Sequence, residues 1–261
     1  MLAGLVFVTA RFFERYNRSM PITSLVILLV SAGGFAANDI ADLRRDKINT
    51  PTRPLPSGTL TTREAAISTI SCFALALAFS AEYLDRYRLS VVSVYVVSLA
   101  LYSRLSDLIP LYKNIYVAAL IASFALFGLT PGSYSTCAVT FATVVFLFVF
   151  SGEVSGDVYD EKGDRLTFRR TIPVLWGQQL ARDIVVATNV FLLGMLLQTM
   201  RTCHCSSLFV IVGSAAGLLN MAAVVGVVAA VLSKHSFQIC LEVEKYAIAM
   251  TIVSFLLTAR G

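Results

Sequence analysis

Eight apolar runs restrict the fold of this chain more than any other feature: 20–37, 64–82, 88–103, 114–131, 135–152, 180–199, 207–232 and 237–258. Each approaches or reaches the roughly 17–25 residues that a helix needs to cross the hydrocarbon layer of a bilayer. The apolar start from Met1 to Ala10 makes a ninth, and the charged, aromatic stretch from Arg11 to Arg18 reads as an interfacial turn. Of the 261 residues, 57% are hydrophobic and only 14% charged, against an apolar share of about 45–50% in soluble domains. The expected fold is an all-α, multi-pass integral membrane protein, a bundle of about nine transmembrane helices around a central cavity. No linker or low-complexity stretch divides it, so residues 1–261 are read as one domain.

Cytoplasmic loops of membrane proteins carry an excess of Lys and Arg. On this segmentation one side collects thirteen basic residues against seven on the other, with Lys245 inside the last run. The richer side holds both acidic clusters described below, which are therefore expected to face the cytoplasm. The net charge of +5 follows from that topology and forms no soluble basic face, so no nucleic-acid partner is expected. The five cysteines (72, 137, 203, 205 and 240) are odd in number, three of them within apolar runs, and give no disulfide framework. Cys203-His204-Cys205 lacks a second ligand pair nearby and is not read as a zinc site. No basic region precedes the apolar start, so no cleavable signal peptide is expected.

Carboxylates are scarce in such a chain, yet seven of the sixteen fall in two clusters, each placed where an apolar run ends. The first reads Asn38-Asp39-Ile40-Ala41-Asp42-Leu43-Arg44-Arg45-Asp46, and the second Asp157-Val158-Tyr159-Asp160-Glu161-Lys162-Gly163-Asp164. Asp39, Asp42 and Asp46 are three and four apart, as are Asp157, Asp160 and Asp164 with Glu153 one turn before them. On a helix each set shares one face. Each cluster is followed by a basic segment with Thr and Pro, running to Gly58 in one copy and Gly177 in the other, a weak internal repeat. A helical bundle of pseudo-twofold character brings the two carboxylate faces together across the cavity. Such faces suit Mg²⁺, which takes one or two carboxylates per ion together with waters and substrate phosphates. The expected metal-facing groups are Asp39, Asp42, Asp46, Asp157, Asp160 and Asp164, with Asn38 as a neutral ligand or orienter. Asp39, Asp42, Asp160 and Asp164 are the expected catalytic carboxylates. Arg53, Lys162, Arg169 and Arg170 are candidates for diphosphate contacts, since Arg meets phosphate oxygens in bidentate fashion.

At these residues the chain resembles the UbiA superfamily of intramembrane prenyltransferases, which includes a terpene-cyclase branch. Asn38, Asp39, Asp42 and Asp46 fit its Asn-Asp-x-x-Asp-x-x-x-Asp motif, continued by Asn49-Thr50-Pro51-Thr52-Arg53-Pro54-Leu55-Pro56-Ser57-Gly58. Asp157 to Gly177 resembles the family's later Asp-x-x-Asp-x-x-Gly-Asp stretch ending in Thr-x-Pro and Gly. The resemblance implies Mg²⁺ as cofactor, an isoprenyl diphosphate as substrate, ionisation of its allylic C–O bond, and transfer of the prenyl cation to a lipophilic or aromatic acceptor within membrane lipid. It also implies a diphosphate-binding role near Tyr102. There the family's Tyr-x-x-x-Lys motif has Ser106 in place of the lysine, and Arg104 or Lys113, just before Asn114, is expected to supply the charge. Family members have a longer first helix, and this chain opens almost inside it, either because the start is abbreviated or because an upstream stretch is missing, which leaves the acceptor open.

Two further readings remain at this point. A terpene cyclase on the same scaffold would capture the cation with the substrate's own double bonds, and the short start and Ser106 favour it. A transporter would also use intramembrane carboxylates, but with broken helices and charges near mid-membrane, unlike clusters at the ends of apolar runs. Phe124, Phe127, Phe146, Phe148 and Phe150 have faces suited to a cation, although most aromatics at helical spacing belong to the core or face lipid.

Overall fold

A computed structural model describes residues 20–106, 111–127 and 136–202, with a few positions between 214 and 222. It consists of seven helices in this range: α1 (Met20–Asn49), α2 (Thr62–Tyr83), α3 (Arg86–Ser106), α4 (Tyr112–Phe127), α5 (Thr136–Leu166), α6 (Ile172–Trp176) and α7 (Gln178–Thr202). No strand occurs among the described residues. This is what a lipid environment demands, because a helix satisfies its backbone polar groups within one segment. The apolar runs at 207–232 and 237–258 and the start at Met1 lie largely or wholly outside the described residues, so the expected count of nine helices finds no test here.

The apolar runs locate the helices but misplace two ends. α1 continues twelve residues past the expected stop at 37, and α5 fourteen past 152. Both acidic clusters therefore lie on continuous helices of 30 and 31 residues, where a hydropathy reading places loops. Hydropathy detects contact with lipid, whereas the helix itself persists through polar residues that pair along one face. Asn38 donates to Asp42 at 2.9 Å and Arg45 to Asp42 at 2.6 Å, four and three residues apart. Chain reversal begins only at Thr50-Pro51, where proline cannot continue the ladder. The repeat seen in the sequence ends alike in both copies, since Gly58 and Gly177 have φ of 80° and 89°, a region that glycine enters without the Cβ penalty. α2 starts from a capping box in which Thr61 accepts from the Glu64 amide at 3.2 Å and donates its own amide to Glu64 at 2.8 Å.

α1 packs on α2, α3 and α5, while α5 packs in turn on α4, α6 and α7. One buried cluster joins Val26, Ile27 and Val30 of α1 to Ala76 of α2, Val92 and Tyr95 of α3, and Phe124 and Phe127 of α4. A second joins Val144 and Phe148 of α5 to Leu192 and Leu196 of α7. Between those two helices Asn189 is fully buried and donates to Ser151 Oγ at 2.6 Å and to the Val185 carbonyl at 2.8 Å. Ile67, Ile70, Val94, Val97, Val190 and Phe191 point outward instead. Four helical spans, Pro21–Asn49, Thr62–Tyr83, Ala138–Leu166 and Gln178–Gln198, are long and apolar enough to cross a membrane.

The α1–α2 contact depends on Gly33. A Cβ there would stand 2.7 Å from the Phe73 ring and 3.2 Å from the Cys72 Cβ. Gly33→Val is expected to destabilise the fold by about 1–3 kcal/mol through overpacking, read as a lower melting midpoint in detergent. Gly194→Ala, whose Cβ would meet nothing within 4 Å, should show no such loss.

Candidate functional site

The polar ends of α1 and α5 meet at one end of a cavity of about 330 Å³, which α3 and α4 help to line. Its wall from α1 carries Ser31, Gly34, Phe35, Asn38, Asp39, Asp42 and Arg45, and from α5 Gly152, Glu153, Gly156 and Asp160. Leu99 and Tyr102 come from α3; Lys113, Tyr116, Val117, Leu120, Ile121 and Phe124 come from α4; Arg53 reaches in from the turn after α1. The spacing of three and four residues along each helix is what aims these side chains at one space. One end of the cavity is charged and the other apolar.

Arg45 connects the two acidic stripes. Its guanidinium donates to Asp42 at 2.6 Å and lies 3.7 Å from both Asp46 and Asp164. Asp42 also accepts from Arg169 at 2.9 Å, across 127 residues of chain. Asp46 accepts from Arg53 at 2.9 Å. On the other side Lys113 pairs with Asp157 and lies 3.6 Å from Glu153, while Asn114 donates to Asp157 at 2.8 Å. Leu111 and Phe168 are the two non-glycine residues with left-handed φ, 65° and 59°, among the described residues. They immediately precede the segments that carry Lys113 and Arg169, so each of these cations is delivered from a strained turn, a recurrent property of functional sites.

A second tie joins the stripes through neutral groups. The Asn49 amide donates to the Asp160 carbonyl at 3.1 Å and accepts from the Gly163 amide at 3.1 Å. Gly163 must lack a side chain for this, because a Cβ there would fall 2.6 Å from the Asn49 Cγ. The glycine of the second acidic motif and the asparagine after the first are thus two halves of one contact.

Of the residues singled out in the sequence, Asn38, Asp39, Asp42, Asp160, Arg53, Tyr102 and Lys113 line the cavity. Asp46, Asp157 and Asp164, expected to face metal, do not; they are 3%, 1% and 0% exposed, and for Asp46 and Asp157 the reason is that they hold Arg53, Lys113 and Asn114. Arg169, expected as a diphosphate contact, is instead buried against Asp42. Asn114 is spent on Asp157. Lys162 and Arg170 are exposed at the ends of the bundle and do not line the cavity. The side chains of Arg104 and Ser106 lie outside the described residues. Of the five phenylalanines singled out in the sequence, Phe124 lines the cavity; Phe127 and Phe148 are core, and Phe146 stacks on Phe150 with centroids 6.0 Å apart.

Arg45, Asn49, Glu153 and Tyr116 complete the site without having been assigned roles from the sequence. Arg45 and Asn49 continue the one-face spacing of Asp39, Asp42 and Asp46, and Glu153 stands one turn before Asp157, so a helical reading through the charged segment brings them in. Tyr116 gave no comparable signal. It stacks on Tyr102 and Tyr112 at 5.1 and 5.6 Å and donates to Ser98 at 2.7 Å.

Among the described residues no three acidic, histidine or cysteine side chains converge tightly enough to hold a metal by themselves. The donor set nevertheless suits Mg²⁺, which completes its shell with substrate and water oxygens. Asp39 and Asp160 face the cavity, and no described side chain or amide hydrogen-bonds to either carboxylate. Both Asp164 oxygens are buried without a hydrogen-bond partner.

This architecture defines a helical membrane protein with a two-sided, charge-lined pocket, and the UbiA prenyltransferase family model matches residues 1–257. The chain belongs to that family and is an integral membrane protein. It is 33% identical over 171 residues to the digeranylgeranylglyceryl phosphate synthase of Methanopyrus kandleri, covering 66% of this chain and 63% of that protein. The corresponding synthase of Thermococcus kodakarensis is 31% identical over 60% of this chain and 56% of its own length. The aligned stretch thus spans less than two thirds of these relatives. Among solved structures, a UbiA homologue from Aeropyrum pernix superposes with a TM-score of 0.77 at 20% identity, over 97% of this chain and 96% of that one. A homologue from Archaeoglobus fulgidus bound to GPP and Mg²⁺ gives 0.64 at 17% identity, over 96% and 95%.

The Asn49–Gly163 contact generates a coupling test. Gly163→Ala is expected to cost about 1–3 kcal/mol of stability by crowding, and clearly less in an Asn49→Ala background, so that melting midpoints of the four proteins give a non-additive cycle.

Proposed function

We propose that the chain is a Mg²⁺-dependent intramembrane prenyltransferase acting on an isoprenyl diphosphate and a lipophilic acceptor. The observation that carries this reading is the polarity of the cavity: carboxylates and cations crowd one end while apolar side chains of α1, α3 and α4 line the other. A diphosphate with an isoprenoid tail has the same two ends. Family membership and the Mg²⁺ complex of the Archaeoglobus fulgidus homologue support the assignment.

Arg45, Arg53 and Lys113 offer N–H donors to the diphosphate at the charged end. Donors fixed in advance stabilise the negative charge that grows on a leaving group as the C–O bond breaks. Asp39 and Asp160, with Asn38 beside them, are the residues to hold Mg²⁺, which when bound supplies Lewis-acid stabilisation of that charge. Asp42, Asp46 and Asp157 act by holding the cations in place. Lys113 takes the role of the lysine replaced by Ser106. One turn further along α4, Tyr116 and the stacked Tyr102 lie where the allylic carbon would follow the diphosphate, and aromatic faces favour a cation. The apolar walls keep water from it.

The names of the sequence relatives make a glycerophosphate lipid the acceptor to test first. The excess of basic residues flanking the acidic stripes supports a cytoplasmic opening, and the family match supports one domain over the chain.

The decisive assay incubates purified protein with isoprenyl diphosphates, Mg²⁺ and a prenylated glycerophosphate, and identifies products by mass spectrometry. A prenylated acceptor is expected; a cyclised hydrocarbon formed without acceptor would replace transfer with cyclisation. Chelation should abolish turnover and Mg²⁺ restore it. Asp39→Ala and Asp160→Ala should each lower kcat about 10²-fold or more while melting like wild type, since no described residue hydrogen-bonds to either carboxylate. Lys113→Met should weaken binding of inorganic diphosphate about tenfold, corresponding to ~1.4 kcal/mol, measured by calorimetry in the presence of Mg²⁺.

A further inference from the structure

Glu153 is a carboxylate that the roles assigned above leave unused. It stands within the apolar span Ala138–Leu166, where an ionisable side chain is costly and marks function more often than packing. Its side chain lines the cavity and is 32% exposed, whereas that of Asp157, one turn further on, is 2% exposed and paired with Lys113. Lys113 reaches Glu153 as well, but at 3.6 Å, the looser of its two carboxylate contacts. One carboxylate therefore holds the cation, and the other keeps a face toward the cavity.

The residues that flank Glu153 give it room. Gly152 and Gly156 line the same cavity, and a Cβ at either would meet nothing described within 4 Å. Glycine is a poorer helix former than alanine, so neither the helix nor its described packing explains them. Among the described residues α5 lines the cavity with Gly152, Glu153, Gly156 and Asp160 and no apolar side chain, while α4 supplies Val117, Leu120, Ile121 and Phe124. The α4 wall suits a hydrocarbon tail; the α5 wall, bare backbone around a carboxylate, suits a polar head. Glu153 precedes Asp160 by two turns on the same helical face, about 10 Å along the axis. A base for an incoming nucleophile belongs at such a separation. It stands one near-attack distance of ~3 Å and one hydrogen bond of ~3 Å beyond an allylic carbon that its diphosphate ester already sets off from Mg²⁺.

We propose that Glu153 is the general base for a hydroxyl-bearing acceptor whose polar head lies against Gly152 and Gly156, an assignment that rests on the prenyl transfer reading above. As the allylic C–O bond breaks, its electron pair leaves on the diphosphate oxygen. The acceptor oxygen forms the new C–O bond with a lone pair, and its proton passes to the Glu153 carboxylate and from there to solvent. The products are a prenyl ether and free diphosphate. Lys113 joins the two halves of the step, since it lies beside Glu153 and at the charged end of the cavity. The two glycines decide which acceptors fit, because any side chain at either position would enter the space that the head requires.

The test uses the full chain in detergent with Mg²⁺, a twenty-carbon prenyl diphosphate and a prenylated glycerophosphate with a free hydroxyl. It follows prenyl diphosphate binding, ether formation and the prenyl alcohol formed when water captures the cation. Glu153→Gln should lower kcat for the ether about 10²-fold or more, leave the prenyl diphosphate Kd within about threefold of wild type, and raise the share of alcohol among the products. Glu153→Asp, which keeps the carboxylate, should recover part of the ether-forming rate. Gly152→Ala and Gly156→Ala should each raise the acceptor KM about fivefold or more with the prenyl diphosphate Kd unchanged, and they decide the matter should the glutamine variant fail to fold. Ether formation by Glu153→Gln at the wild-type rate, a loss of prenyl diphosphate binding that matches the loss of rate, or an acceptor KM unmoved in both glycine variants overturns the assignment and leaves prenyl transfer standing. A parallel loss of binding would make Glu153 a prop for Lys113 alone. A wild-type protein that binds no prenyl diphosphate, or forms no ether, overturns the transfer reading itself and this assignment with it.

Discussion

Arg45 is the constraint on which the rest of the site depends. A carboxylate in or near the hydrocarbon layer is costly unless paired, and this one guanidinium stands between Asp42 and Asp46 of its own helix and Asp164 of α5. Arg169 closes the same circuit from the turn after α5. Pairs of this kind recover little net stability, because desolvating both partners offsets most of their attraction, yet removing one partner leaves an isolated buried charge. Their consequence is geometric: α1 and α5 can meet only in the register that pairs these groups. The amide contact between Asn49 and Gly163 imposes that register a second time without charge.

Once register is set, a division of labour follows. The more buried carboxylates Asp46 and Asp157 are occupied with Arg53, Lys113 and Asn114, whereas Asp39 and Asp160 face the cavity with no hydrogen bond to their carboxylates from the described residues. Lys113 and Arg53 are thereby held against carboxylates while still lining the cavity. The same helices turn apolar within two turns. The change from charged to apolar along α1 and α4 runs in parallel, so one end of the cavity suits an anion and the other a hydrocarbon chain. The packed cluster around Tyr95 and Phe124 adjoins that hydrocarbon half.

The helices and the two acidic stripes were legible in the chain because both signals are local. An apolar run reports lipid contact residue by residue, and spacings of three and four report one helical face. The matching ends of the repeat were visible for a related reason, as Gly58 and Gly177 both mark left-handed turns. The helix ends at Asn49 and Leu166 were not legible from hydropathy, since the charged segments satisfy their polar groups along the helix and against the opposite stripe instead of in water.

The sequence by itself determined a helical membrane bundle, two clusters of carboxylates flanked by cations, and which carboxylates share each helical face. Only the tertiary structure decided which of them open onto the cavity. Asp39, Asp46, Asp157 and Asp160 look alike along the chain, and what separates them is a partner: Arg53 in the turn after α1 for Asp46, and Lys113 and Asn114 of α4, over forty residues away, for Asp157. Lys113 meets Asp157 across 44 residues, Asn49 meets Gly163 across 114, and Arg169 meets Asp42 across 127. A side chain's role here is set by whether such a partner already satisfies its charge, and that is a property of how the helices pack.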